Sequence, residues 1–117
     1  MSSSFVMHEA QLQVHPEVDN DLIELSAYIA MDNPAAALAV ERAITSMFEL
    51  LACKPLMGTE YSPLRRTLRG IRMFVVTEYP NYLIYYRPLP QNTGVRILYV
   101  LHAARDAATF AKEHRRQ

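Results

Sequence analysis

Ten of the chain's twelve basic residues are arginine. Arg65, Arg66, Arg69 and Arg72 stand close together, with Arg87 and Arg105 further on. A guanidinium is a planar fork that fits carboxylates and phosphates. The stretch therefore reads as a docking edge for an anionic partner, against the plainer reading of a solvated loop. Arg105 is followed by Asp106, which predicts a local ion pair or a charge anchored at a helix start. An exposed pair of that kind adds little stability. His102 is either a proton-transfer group or a structural histidine at a strand end. Arg115 and Arg116 form too short a run to read as more than a solvated tail. Tyr79, Tyr82, Tyr85, Tyr86 and Tyr99 are dense for one region. Packing with a wet hydroxyl is the plainer role for them, and base stacking is the sharper one. Cys53 and the four histidines lack metal-ligand spacing, so no metal is expected. Three glycines far apart exclude a glycine-built phosphate loop, and no cofactor is expected.

These side chains belong to 117 residues, one domain's worth of chain, of which half are hydrophobic and 21% charged. The net charge is zero, but it is unevenly spread. Residues 1–53 hold one basic and eight acidic residues, a balance of −7, and residues 54–117 carry +7. A surface polarised in this way favours oriented docking to a charged partner. One cysteine cannot close a disulfide within the chain, which fits a reducing, cytoplasmic setting. No stretch approaches the roughly 20 apolar residues that span a bilayer. Residues 1–7 lack a secretory pattern and read as a disordered leader to a domain over 8–117.

The elements that must position these residues follow from periodicity. Ala10, Leu12 and Val14 alternate with polar neighbours, which predicts a short strand. Val18, Leu22, Leu25 and Ile29 recur at i, i+4, i+7 and i+11, one helical stripe. Asn33-Pro34 is a cap followed by proline at the first helical position. It opens a second helix with Val40, Ile44, Met47 and Leu51 at the same spacing, closed by Pro55. A join of two or three residues makes the two helices an antiparallel hairpin. Leu56 to Thr67 reads as a long loop. Three strands follow, over 71–77, 82–87 and 95–102, and a short helix from Arg105 toward His114. The expected class is α+β: a single domain of order β-α-α-β-β-β, with an N-terminal helical hairpin packed on an antiparallel sheet and a short C-terminal helix.

Several strings in this frame carry a resemblance. They are Asp21-Leu22, Tyr28-Ile29, Asn33-Pro34-Ala35-Ala36, Pro55-Leu56-Met57-Gly58, Leu68-Arg69-Gly70-Ile71-Arg72, Tyr82-Leu83-Ile84-Tyr85-Tyr86-Arg87 and Val100-Leu101-His102-Ala103-Ala104-Arg105-Asp106. In this order and spacing, from about Gln11 to Asp106, the chain resembles the ParE branch of the RelE/ParE toxin superfamily, the plasmid-stabilisation toxins. The resemblance implies the toxin half of a type II toxin–antitoxin system. It implies inhibition of DNA gyrase or another topoisomerase by binding, neutralisation by a cognate ParD-like antitoxin in a hetero-oligomer, and a C-terminal tail involved in toxicity. RelE-like relatives instead cut messenger RNA on the ribosome.

Metal-free RNA cleavage needs a base, a cation for the phosphate and an acid for the leaving oxygen. Arg72, Arg87 and His102, with Arg65 as a further cation and Glu60 or Glu78 as helper, are the residues this alternative would use. No lysine lies between Lys54 and Lys112, and a neutral chain is a poor match for a polyanion. The residues thus favour binding, with Arg65, Arg66, Arg69, Arg72 and Arg105 as target contacts. A third reading is an inactive module that only sequesters its partner. The helix stripes are apolar for so small a domain. Tyr28, Met31, Met47 and Phe48 are expected to exceed what one core covers and to form the groove for an antitoxin segment that folds as it binds.

Overall fold

A computed structural model describes residues 10–61, 70–112 and 116. Along the chain run β1 (Gln11–Val14), α1 (Glu17–Ala30), α2 (Pro34–Cys53), β2 (Thr59–Glu60), β3 (Arg72–Val75), β4 (Tyr82–Pro88), β5 (Gly94–His102) and α3 (Ala103–Lys112). The sheet order is β1-β5-β4-β3-β2. The α+β class and the element order agree with the sequence reading. The sheet, however, is mixed: β1 lies parallel to β5, with Leu12 beside Val95, and every other pair is antiparallel. The hairpin of helices carries the chain from β1 to β2 at the opposite edge, and the antiparallel meander β2-β3-β4-β5 then works back across the sheet until β5 lies parallel beside β1. Thr59–Glu60 also leaves the expected loop to pair with β3. Two residues are too few to show any periodicity.

Each helix starts for a local reason. Pro16 cannot cap α1 with a side chain, and His15 Nδ1 accepts from the Glu17 N–H at 3.1 Å instead. Asn33 Oδ1 accepts from the Ala36 N–H at 3.1 Å, and Pro34 follows with its φ already helical. Val18, Leu22 and Leu25 of α1 meet Val40, Ile44, Phe48 and Leu51 of α2 over Ile84, Tyr86, Val95, Ile97 and Val100 of the sheet. No helix among the described residues is long and apolar enough to cross a membrane.

The other face of the sheet is covered as well. Ile71, Tyr85, Leu98, Tyr99 and Phe110 form a second cluster. Phe110 of α3 stacks on Tyr85 with ring centroids 4.1 Å apart and meets Tyr99 edge-on at 4.9 Å. A bulge sits where the β4–β5 register slips between Tyr85 and Tyr86, leaving Leu98 the extra residue. It lets the consecutive Leu98 and Tyr99 share this second face, while Ile97 and Val100 point to the helices. Of the five tyrosines singled out, Tyr85, Tyr86 and Tyr99 are buried, and Tyr79 and Tyr82 pack against the core margin.

Candidate docking surface

The arginine cluster is only partly visible. Arg65, Arg66 and Arg69 lie outside the described residues, as do residues 1–7. Arg72 is described, and its guanidinium is engaged: Nη1 donates to the Gly58 carbonyl at 2.6 Å and to the Leu56 carbonyl at 3.3 Å. Beside it, the Tyr86 hydroxyl donates to the Pro55 carbonyl and accepts from the Gly58 N–H, each at 2.8 Å. Burial raises the Tyr86 hydroxyl above its ordinary pKa, against the smaller pull of the Gly58 N–H and Arg72. Together these two side chains fasten the turn that follows α2.

Arg72 and Arg87 line one shallow cleft at the end of β3 and β4, with Glu60, Gly70, Pro88 and Asn92. His102 lies elsewhere. It pairs with Tyr82 at the opposite end of β4, whereas Arg87 pairs with Arg96. Five residues of strand, about 17 Å, separate the two ends. The structure therefore brings Arg72 and Arg87 together and leaves His102 apart. Its Nδ1 accepts from the Ala104 N–H at 3.2 Å and the Arg105 N–H at 3.1 Å, while the Asp106 carboxylate accepts from the His102 N–H at 2.7 Å. This reciprocal arrangement caps α3 at both levels. The ring also meets Tyr82 edge-on at 5.3 Å.

Arg105 is held at the same corner. Its Nε donates to Asp106 Oδ1 at 3.1 Å, and its guanidinium carbon lies 5.2 Å from the Tyr28 ring centroid. The Asp106 hydrogen bond raises the Arg105 pKa further. Burial alone would raise the Asp106 carboxyl. The Arg105 guanidinium and the His102 N–H overcome it and hold the group below its ordinary range. Arg105 thus offers a charge whose position is fixed by α1 and α3 together.

The four apolar residues expected to form one groove are dispersed. Tyr28 is 61% and Met31 81% exposed at the bend of the hairpin. Phe48 is buried in the core, and Met47 is partly buried against it. Phe48 is therefore corrected from a surface residue to a core one. Residues one apart in a helix are 100° apart around it, so the inward stripe of α2 runs through Phe48 and turns Met47 to its flank. Ile23, 64% exposed on α1, was not anticipated and adds to the apolar surface of that helix. The solvated tail is corrected too: Arg116 is docked against the body of the fold, on Asp21 and Tyr99. No local signal could have found this contact, because its partners are at opposite ends of the chain.

Residues 12–107 match the family model described as the ParE toxin of type II toxin-antitoxin system, parDE. A solved structure of the chromosomal ParDE TA system from P. aeruginosa superposes with a TM-score of 0.63 at 16% identity, covering 82% of this chain and 98% of that one. At that identity the likeness establishes the fold. No curated protein matches the chain.

Proposed function

This chain belongs to the ParE toxin family of type II toxin–antitoxin systems, and from that premise we propose that it inhibits a DNA gyrase or related topoisomerase by binding it. A cognate antitoxin would neutralise it in the cytoplasm. The observation that carries binding over cleavage is the capping role of His102. A histidine that spends Nδ1 on two helix N–H groups, about 17 Å along the sheet from Arg72 and Arg87, is not arranged to share a phosphate with them. Arg72, beside Arg87, and Arg105, at the corner of His102, support the same reading as fixed charges at opposite ends of the sheet, and Arg65, Arg66 and Arg69 stand near Arg72 in the sequence. Tyr28 and Met31, exposed at the hairpin bend, and the partly buried Met47 are the antitoxin-facing residues that remain after Phe48 is removed. The endonuclease alternative draws on one observation, that Arg72 and Arg87 line a common cleft with Glu60.

The deciding experiment uses His102→Asn. Asparagine caps helices well, so this variant keeps the structural role and removes the imidazole. Expressed without antitoxin, wild type and His102→Asn should both give filamentous cells, intact mRNA and inhibited supercoiling by purified gyrase. Ribosome-dependent mRNA cleavage that disappears in His102→Asn would establish the endonuclease instead.

A further inference from the structure

A cleft between α1 and β5 is lined by Asp21, Glu24, Tyr99, Val100 and Arg116, together with the Arg105–Asp106 ion pair, which leaves Asp21 and Glu24 as its unneutralised walls before Arg116 enters. Arg116 fills part of it in a particular way. Its Nη2 donates to Asp21 Oδ1 at 3.0 Å and its Nη1 to Asp21 Oδ2, a fork on a fork. Nη1 also donates to the Leu98 carbonyl at 3.1 Å, and the guanidinium carbon lies 4.4 Å from the Tyr99 ring centroid. The receiving groups belong to the folded body and are set without Arg116. The Val100 N–H donates to Asp21 Oδ2 at 3.1 Å, which orients the carboxylate. Leu98 is fully buried and is the extra residue of the bulge, which leaves its carbonyl outside the β4–β5 pairing and available to the cleft. Phe110 holds the Tyr99 ring edge-on.

A bidentate carboxylate, a carbonyl acceptor and an aromatic face are what a guanidinium needs and more than an ammonium can use. We propose that this cleft is a binding site for an arginine side chain, occupied in the free chain by Arg116 and open to an arginine of a partner segment in its place. The proposal does not depend on the identity of the toxin's target, and its test reads occupancy of the cleft, not toxicity.

The test is an NMR titration with N-acetyl-L-arginine methylamide. Arg116→Ala empties the cleft and leaves its walls intact. This variant should show saturable shifts at the Tyr99 ring and the Val100 amide. Wild type should require about tenfold more probe, because the tethered Arg116 competes intramolecularly. The lysine analogue should bind Arg116→Ala at least about fivefold more weakly, lacking the fork. Adding Asp21→Asn to Arg116→Ala keeps an acceptor for the Val100 N–H and should abolish saturation. If that double variant does not fold, the wild-type protein still decides: the Arg116 Nε–H resonance should carry the upfield shift of the Tyr99 ring and lose it as probe is added. No saturable shift in Arg116→Ala, equal binding by wild type, or equal binding of the lysine analogue would each overturn the proposal.

Discussion

Gly58 and Tyr86 show how closely single side chains are fitted in this molecule. A Cβ on Gly58 would stand 2.6 Å from the Tyr86 hydroxyl oxygen, 2.8 Å from its ring and 2.9 Å from the Met73 carbonyl. The absence of a side chain there lets the fully buried hydroxyl reach both Pro55 and Gly58. Tyr86→Phe would strand one buried carbonyl and one buried N–H, at a cost of about 1–3 kcal/mol. Gly58→Ala would overpack the same spot, at a cost of about 1–3 kcal/mol. Because both act on one contact, the double variant should cost less than the sum, as residues in contact usually do. Urea unfolding of the two single variants and the double measures this directly. Strictly additive costs would mean that the hydroxyl does not organise the turn.

Among the elements, β1 depends most on a single residue. Gly94 opens β5 beside Gln11, and a Cβ there would fall 1.9 Å from the Gln11 carbonyl oxygen. No side-chain adjustment relieves a clash with backbone, so Gly94→Ala must push the strand off. That would break the Gln11 N–H to Thr93 and His15 N–H to Ile97 bonds. We expect a loss of about 3 kcal/mol or more, in the range of severe single substitutions. Hydrogen exchange should quicken in residues 11–15 while β4 stays protected, and unchanged protection in β1 would refute the assignment. The same strand marks where the sequence stopped being legible. The helices could be read because their stripes repeat every three or four residues beside Asn33-Pro34 and Pro55, so each carries its own evidence. Even there Met47 stood in for Phe48, since i+3 and i+4 both satisfy a helical stripe. The parallel pairing of β1 with β5 joins residues some eighty positions apart and leaves no local trace. The bulge at Leu98 reverses the alternation of β5 midway, so its faces could not be sorted by period two. Asp106 was legible as a charge anchored at a helix start, whereas His102 was legible only as a histidine at a strand end, although its capping partners lie within four residues. The Asp21 cleft was not legible, because Asp21 stands nearly eighty positions from Leu98 and Tyr99 in the sequence and meets them only where α1 packs on β5.

Taken as a whole, the molecule holds its titrating groups so that stability is bounded on both sides of neutral pH. Burial, then the nearby Arg116 and Arg96 cations, push the His15 pKa below its ordinary 6.5, outweighing Glu17 and Asp21. The unfolded chain therefore takes up this proton more readily. The contribution is whole above pH 6.5 and lost as pH falls through the folded value. Asp106 adds a second, lower loss. Its folded pKa lies below the ordinary 3.8, so what it contributes is present above that value and disappears as pH falls further. On the alkaline side, burial raises Tyr85 and Tyr86 above 10.0. The unfolded chain loses those protons first, so stability is intact below pH 10 and declines as pH rises beyond it. The melting temperature should accordingly be flat from neutrality to just below pH 10, with an acid shoulder beginning near 6.5. His15→Asn should flatten the first part of that shoulder while keeping an acceptor for the Glu17 N–H, as Asn33 does before Pro34. Thermal scans of wild type and His15→Asn across this range separate the contributions. A shoulder that survives His15→Asn unchanged would mean that the acid loss comes from carboxylates alone, and that the cations around α1 exert no field on its cap.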